Sequence, residues 1–170
     1  MTPGIAEATV VPLVVFALGG ERFAVRGWAV REIVRSVAVA ALPYAPDVVE
    51  GVINYRGRLA PVLDIRGRFG LPSRPLDPTQ HFVLAEAGSR LVALRVDRAL
   101  DLLEVPADAI ESAASVAPRS RWTEGVARLP DGLVVIHDLE RFLSLDEENV
   151  LDAALGAVGT GDEEREGVKP

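Results

Sequence analysis

The amino-acid sequence predicts a mainly β protein made of small closed sheets, with few and short helices. Four times along the 170 residues, two short apolar runs flank a turn that contains glycine, which is the pattern of a β-hairpin. Short strands joined in this way are typical of small sandwiches and barrels rather than of a parallel α/β fold. Hydrophobic residues make up 49% of the chain and aromatic residues only 5%, so the core must be mainly aliphatic.

The four predicted hairpins fall into two groups along the chain. They pair Val14–Leu18 with Arg22–Val25, Gly51–Tyr55 with Arg58–Ile65, His81–Glu86 with Arg90–Val96, and Gly125–Leu129 with Leu133–Ile136. Pro61 interrupts the second hairpin and indicates an edge strand or a bulge there. No internal repeat is plain in the residues, but two groups of hairpins indicate two similar β units.

Short helices are predicted between and after the hairpins. Ala29–Arg35 is predicted as a short helix with Val30, Ile33 and Val34 on one side, and Ile65–Phe69 as a single turn that ends at Gly70. Apolar residues at helical spacing predict a further turn over Leu139–Leu143.

A C-terminal helix is predicted after Ser144, which forms a capping box with Glu147. Apolar residues continue the helix to Gly156, where glycine indicates its end. The predicted organisation is therefore a flexible N-terminus over 1–10, one folded unit over 11–155 that is not cleanly separable into subdomains, and a disordered acidic tail over 156–170.

The charge of the chain argues against a nucleic-acid partner. The net charge is −7, and residues 76–170 hold nineteen acidic against nine basic residues, whereas residues 1–75 hold six against nine. A field of that sign repels phosphate backbones, while its asymmetry suits the docking of a protein. The longest apolar run is too short to span a bilayer and no secretion signal is visible, so we expect a cytoplasmic protein.

Catalytic patterns are missing from the sequence. The chain has no cysteine, no glycine loop of the nucleotide-binding type and no metal-ligand spacing. Its two histidines, His81 and His137, lie in or beside apolar strands, where a histidine is more often a core or strand-end residue than a general base. We therefore expect no enzymatic activity, no cofactor and no metal.

Binding is better supported, and Arg56 is the most obvious recognition group because it lies in a glycine turn. The alternative is that Arg56 only forms a surface ion pair, with Glu50 or Asp64. Glu32 places a carboxylate at the edge of an apolar face. Trp28 and Trp122 are side chains of the kind enriched at interfaces, although partial burial is the more common role of each.

Several motifs occur in an order that resembles the CheW-like family of bacterial chemosensory adaptors. Val30-Arg31-Glu32-Ile33 follows the opening hairpin, and a proline-bearing link leads to Val52-Ile53-Asn54-Tyr55-Arg56-Gly57 and Pro61-Val62-Leu63-Asp64-Ile65. The match is completed by Arg95-Val96-Asp97 and by the closing hairpin and helix. It runs from about Leu13 to Asp152.

The resemblance implies a fold and two partners. Members of the family fold as two small five-stranded, SH3-like β-barrels side by side. They bridge the cytoplasmic tip of chemoreceptors and the regulatory domain of the histidine kinase CheA without catalysing a reaction. Receptor contact uses a hydrophobic groove between the barrels, and carried over residue by residue this implicates Val30, Glu32, Ile33, Asn54, Arg56 and Gly57, with Val96 and Asp97 on the other wall.

Two other functions remain open at this point. A divergent paralogue could occupy signalling arrays of another pathway as a scaffold or competitor, without coupling receptor to kinase. A nucleic-acid-binding β-barrel is the remote alternative, which the sparse aromatics and the acidic charge disfavour.

Overall fold

The computed structural model describes residues 9–116 and 121–166 and shows eleven strands in these ranges. The strands are β1 Val10–Leu18, β2 Glu21–Arg26, β3 Val30–Arg35, β4 Val49–Tyr55, β5 Arg58–Leu63, β6 His81–Ala87, β7 Arg90–Val96, β8 Arg98–Pro106, β9 Ile110–Ser112, β10 Thr123–Leu129 and β11 Gly132–His137. The helices are α1 Ala113–Val116 and α2 Leu145–Glu166, with 3-10 turns at Gly27–Ala29, Arg66–Phe69, Ala107–Ala109 and Leu139–Arg141.

The strands form two sheets, and the prediction of a mainly β fold is confirmed. One sheet has the order β8-β1-β2-β11-β10-β9 and the other β3-β6-β7-β5-β4. All four predicted hairpins are present as antiparallel pairs. The first sheet has six strands rather than the predicted five, because the three-residue β9 adds an edge to β10.

Neither sheet is built from one continuous stretch of chain. Strand β8 follows the β6–β7 hairpin of the five-stranded sheet but pairs with β1 in the other sheet. Conversely, β3 follows the β1–β2 hairpin but pairs with β6. This exchange of one strand in each direction explains why no boundary between subdomains is visible in the sequence.

A shared core lies between the two sheets. Phe16 and Leu18 of β1, Val83 of β6 and Leu94 of β7 are buried in it, together with Leu151 of α2. Each sheet also has a smaller hydrophobic cluster on the face turned away from the shared core. In the six-stranded sheet this cluster surrounds Leu13 and Val15. In the five-stranded sheet it surrounds Phe82 and Leu84. Each sheet thus carries buried apolar residues on both of its faces, which accounts for the high aliphatic content.

One predicted helix is wrong. Only Gly27–Ala29 forms a 3-10 turn, and Val30–Arg35 is the edge strand β3. The run is rich in the β-branched residues that favour strands, and its exposure alternates residue by residue. As a result Ile33 and Glu32 face opposite sides of the sheet. Val30, Ile33 and Val34 therefore do not form the single helical face that was predicted.

Of the three predicted helix boundaries, the end of the turn at Gly70 and the start of the C-terminal helix at Ser144 are confirmed. The turn Arg66–Phe69 ends at Gly70, which has a φ of 67°, as the sequence predicts. The capping box is present, with the Glu147 N–H donating to Ser144 Oγ at 3.1 Å and the Ser144 N–H to Glu147 Oε1 at 3.0 Å. However, α2 continues past Gly156 to Glu166, because glycine lowers helix propensity without forbidding the helix.

The predicted terminal segments extend beyond the described ranges. Residues 1–8 and 167–170 lie outside them, so the flexible N-terminus and the last residues of the acidic tail remain predictions. Within the part of the chain that the structure describes, no helix is both long and apolar enough to cross a membrane.

Candidate docking site

The turn between β4 and β5 holds its arginine out from the surface. Arg56 and Gly57 both have positive φ, 51° and 83°, as a two-residue hairpin turn of the primed type requires. Asn54 Oδ1 accepts a hydrogen bond from the Gly57 N–H at 2.9 Å and fixes the turn. The Arg56 side chain remains 76% exposed, with its guanidinium 5.5 Å from the centre of the Tyr55 ring. We call residues 54–57 the Arg56 turn.

Glu32 of β3 meets the Arg56 turn. Its Oε2 accepts hydrogen bonds from the Tyr55 hydroxyl and from Arg56 Nη2, the latter at 3.2 Å. The hydrogen bond to Glu32 raises the pKa of Tyr55 above its usual value. Since β3 and β4 are the two edges of the five-stranded sheet, these contacts join its edges. Arg56 does form a surface ion pair, as the alternative interpretation expected, but its partner is Glu32 rather than Glu50 or Asp64, and Glu50 pairs with Arg95.

The opposite face of β3 borders a second feature, a set of exposed apolar side chains. Ile33 pairs with Val83, which belongs to the core between the sheets, yet Ile33 itself is 39% exposed. On β8, Leu102 pairs with Val14 of the same core and is 66% exposed, and Leu100 lies in a bulge and is 46% exposed. We call the surface bounded by Ile33, Leu100 and Leu102 the β3–β8 groove.

Contacts at both ends show that β3 and β8 lie side by side. At one end the Ala99 N–H donates to Nδ1 of His81 at 3.2 Å, and His81 pairs with Arg35 at the end of β3. At the other end Gly27, just before β3, packs so closely on Pro12 that a Cβ would lie 3.0 Å from it. Pro12 in turn pairs with Glu104 of β8. The two edge strands therefore run alongside each other in opposite directions.

The structure corrects the prediction for the second wall of the groove. Val96 is fully buried in the core between the sheets, so its side chain cannot line a binding groove. It also lies at the far end of β7 from the Arg56 turn, because β5 runs parallel to β7 and begins beside that turn. The exposed apolar residues on that side are Leu100 and Leu102 of β8, which the sequence reasoning did not single out; the available signal was two leucines at alternate positions of a strand-like run.

Asp97 belongs to an internal network rather than to a surface wall. Its Oδ2 accepts from the Gly19 N–H at 2.8 Å, and its Oδ1 accepts from the buried Arg66 and from Gln80 Nε2 at 3.1 Å. Partial burial works to raise the pKa of Asp97, but hydrogen bonds from Arg66, Gly19 and Gln80 outweigh it and hold the pKa below its usual range. A carboxylate with these partners positions the backbone and is not free to bind another protein.

The remaining candidate groups of the sequence are also placed. His137 is buried and stacks on Phe23 and Phe69, and burial lowers its pKa to about 3, so the ring is neutral. Trp122 is partly buried against the core, as expected, whereas Trp28 is 66% exposed beneath the Arg26 guanidinium. Among the described residues no group of three or more His, Asp or Glu side chains could hold a metal ion.

Comparison with known proteins points to one family. Residues 12–147 match the CheW-like domain. The chain is 30% identical over 139 residues to the probable chemotaxis protein CheW of Rhizobium etli, which covers 79% of this chain and 88% of that protein. It is 28% identical over 140 residues to the chemotaxis protein CheW of Klebsiella aerogenes, covering 81% and 84% of the two chains.

A solved structure shares the fold. The crystal structure of the scaffolding protein TtCheW from Thermoanaerobacter tengcongensis superimposes with a TM-score of 0.75 at 26% identity. The match covers 82% of this chain and 96% of that one. Similarity therefore extends over nearly the whole of both sheets.

Proposed function

Because this chain belongs to the CheW-like family, we propose that it is a non-enzymatic adaptor that couples chemoreceptors to a CheA-type histidine kinase in bacterial chemosensory signalling. Relatives named chemotaxis protein CheW and a structural neighbour described as a scaffolding protein support this role. Its place of action would be the cytoplasmic side of receptor arrays.

The observation that carries the proposal is the pair of exposed surfaces on the two faces of β3. One face bears Ile33 and the apolar β3–β8 groove, and the other bears Glu32 and the Arg56 turn. An exposed apolar groove of this kind suits an amphipathic helix, which lays its apolar stripe along the groove. The cytoplasmic tip of a chemoreceptor would supply that helix.

The proposed receptor contacts are those that the structure leaves accessible. They are Val30, Glu32, Ile33, Asn54, Arg56 and Gly57, with Leu100 and Leu102 replacing Val96 and Asp97 as the second wall. Val30 is half-buried and supports the groove from below, since it packs against the core between the sheets. The second proposed partner is the kinase regulatory domain, which is itself similar in fold within the family.

A reconstituted kinase assay tests the coupling role. We expect Arg56→Ala and Glu32→Ala to weaken receptor-dependent control of autophosphorylation by about tenfold in apparent affinity, because a recognition contact is lost. The measurement is autophosphorylation with receptor, kinase and each variant, and circular dichroism reports whether the fold is intact. Arg141→Ala is the matched control, since Arg141 is also an exposed arginine, 68% accessible and paired with Asp138.

Two results would contradict the proposal. Unfolded variants would make Glu32 and Arg56 structural residues and remove them from the site. Binding to the arrays without receptor-dependent kinase activity would identify a scaffold or competitor instead of a coupler. Calorimetric titration with the kinase regulatory domain tests the second partner, and a folded sample that fails to bind it would exclude the bridging role.

A further inference from the structure

We propose that the β3–β8 groove binds its helical partner in a single direction, because its two ends carry opposite charges. The inference rests on the proposed function in that it takes the groove as the docking site of a helix. It adds the chemistry of the partner: an apolar stripe with an acidic residue at one end and a basic residue at the other.

The positive end is formed by Arg35. This residue is the last of β3 and is exposed. It pairs in register with His81 of β6, whose Nδ1 accepts a hydrogen bond from the Ala99 N–H of β8. It lies two residues after Ile33 on the strand and so shares its groove-facing side. No described acidic residue forms an ion pair with Arg35, so its charge is available to a partner.

The negative end is formed by Glu104. This residue is exposed on β8, two residues after Leu102, and therefore faces the same side as Leu102. It pairs with Pro12, next to Gly27 and the start of β3, which is the end of the groove opposite Arg35. Glu104 likewise forms no ion pair with a described residue.

Neighbouring charges do not cancel this polarity. Asp101 pairs with Val15, whose side chain belongs to the cluster on the far face of the six-stranded sheet, so Asp101 points away from the groove. Arg31 lies near the Glu104 end, but its Nε lies 3.5 Å from Oε1 of Glu86. Glu86 pairs in register with Leu91, which belongs to the cluster on the far face of the five-stranded sheet, so Arg31 points away from the groove. The groove thus keeps one positive and one negative end.

The length of the groove fixes the spacing of the partner's charges. Ala99 and Glu104 are separated by five strand steps, or about 17 Å at the usual rise of a strand. A helix covers that distance in about eleven residues, which is three turns and returns to the same face. A matching partner therefore carries its acidic and basic residues about eleven positions apart, on the side of its apolar stripe.

The test uses synthetic helical peptides of about 22 residues as probes. One carries a leucine stripe with Glu and Lys about eleven positions apart, and a second carries Gln at both positions. A nitroxide label beside the Glu reports direction through broadening of amide signals in the isotopically labelled full chain. The protein variants are Arg35→Glu, Glu104→Arg and their double exchange, with Arg141→Glu as the control for an exposed charge reversal.

The expected result has three parts. The Glu–Lys peptide binds about five- to tenfold more tightly than the Gln peptide at low salt, and the difference fades at 1 M salt as screening removes it. In the native protein the label broadens signals around Arg35 and Ala99. In the double exchange it broadens signals around Glu104 and Val105, whereas Arg141→Glu leaves the pattern unchanged.

Each contrary outcome has its own meaning. Equal broadening at both ends, or an unchanged direction in the double exchange, overturns the single direction while leaving the groove as a docking site. If neither peptide binds at the groove, the docking site assigned under the proposed function fails, and the inference fails with it. Both exchanged residues are exposed and form no ion pair with a described residue, so loss of the fold is not expected.

Discussion

At the scale of single residues, exposure separates binding groups from supporting ones. Arg56 is 76% exposed, with its guanidinium beside Glu32 and the Tyr55 ring. Val96, at the end of β7, is fully buried, although Arg56 and Val96 were both expected to line the same groove. Chemical type alone does not distinguish Ile33 from Val96, since both are β-branched and apolar and both lie on strands.

A pair of truncations tests this distinction. Val96→Ala should lower the free energy of unfolding by about 2 kcal/mol through a cavity in the core, with little effect on binding once the protein is folded. Ile33→Ala should change stability by less than about 1 kcal/mol but weaken binding of the apolar peptide. Chemical denaturation and peptide titration of both variants check the result. Equal losses of stability would remove Ile33 from the groove.

At the scale of elements, the two sheets contain corresponding hairpins. The β4–β5 hairpin begins with Glu50-Gly51-Val52 and the β10–β11 hairpin with Glu124-Gly125-Val126. Each glycine packs against the backbone of a neighbouring segment, since a Cβ at Gly51 would overlap the Ala40 carbonyl oxygen and a Cβ at Gly125 the Glu111 carbonyl oxygen. Each hairpin also ends at an aspartate that accepts an N–H two residues later, at 3.1 Å for Asp64 and 3.0 Å for Asp138.

The close approach at these glycines predicts a strong local effect. A Cβ at Gly125 would lie 2.5 Å from the Glu111 carbonyl oxygen, so Gly125→Ala must displace β9. We expect a loss of about 2 kcal/mol in the free energy of unfolding. Gly67→Ala is the control because nothing lies within 4 Å of the added atom there. Thermal unfolding of both variants makes the comparison, and equal stabilities would contradict a required glycine at 125.

At the scale of the whole molecule, Asp97 ties the two sheets together. Its backbone N–H donates to the Ala17 carbonyl at 3.0 Å, and its carboxylate binds the β1–β2 turn at Gly19. The same carboxylate accepts from Arg66, which follows β5, and from Gln80, which precedes β6. One side chain thus connects the first sheet to two segments of the second.

Removal of this charge should destabilise the molecule as a whole. Asp97→Asn leaves the buried Arg66 without its ionic partner, so we expect a loss of about 3 kcal/mol in the free energy of unfolding at neutral pH. The pKa of Asp97 in the folded protein lies below its ordinary value of 3.8. The ionised carboxylate therefore stabilises the fold at pH values above 3.8, and this stabilisation is lost as the pH falls through the folded pKa.

Denaturation at several pH values provides the check. The native protein should lose more stability than Asp97→Asn as the pH falls below about 4, since only the native protein has this carboxylate to protonate. Parallel curves for the two proteins would show that the Asp97 charge does not contribute. Asp108→Asn serves as a control for an exposed carboxylate, because Asp108 is exposed and forms no ion pair with a described residue.

The sequence by itself determined the local elements: four hairpins from alternation and glycine turns, the Arg56 turn, and the start of α2 from Ser144 and Glu147. These depend on interactions within a few residues, which the chain order contains. Tertiary structure decided that Val30–Arg35 is a strand, because its β-branched residues find a distant partner in β6, which no local turn indicates. It also decided that β3 and β8 exchange sheets, that Val96 is buried while Leu102 is exposed, and that Glu32 meets Arg56. Those outcomes depend on which distant strands become neighbours, and no short stretch of sequence encodes that choice.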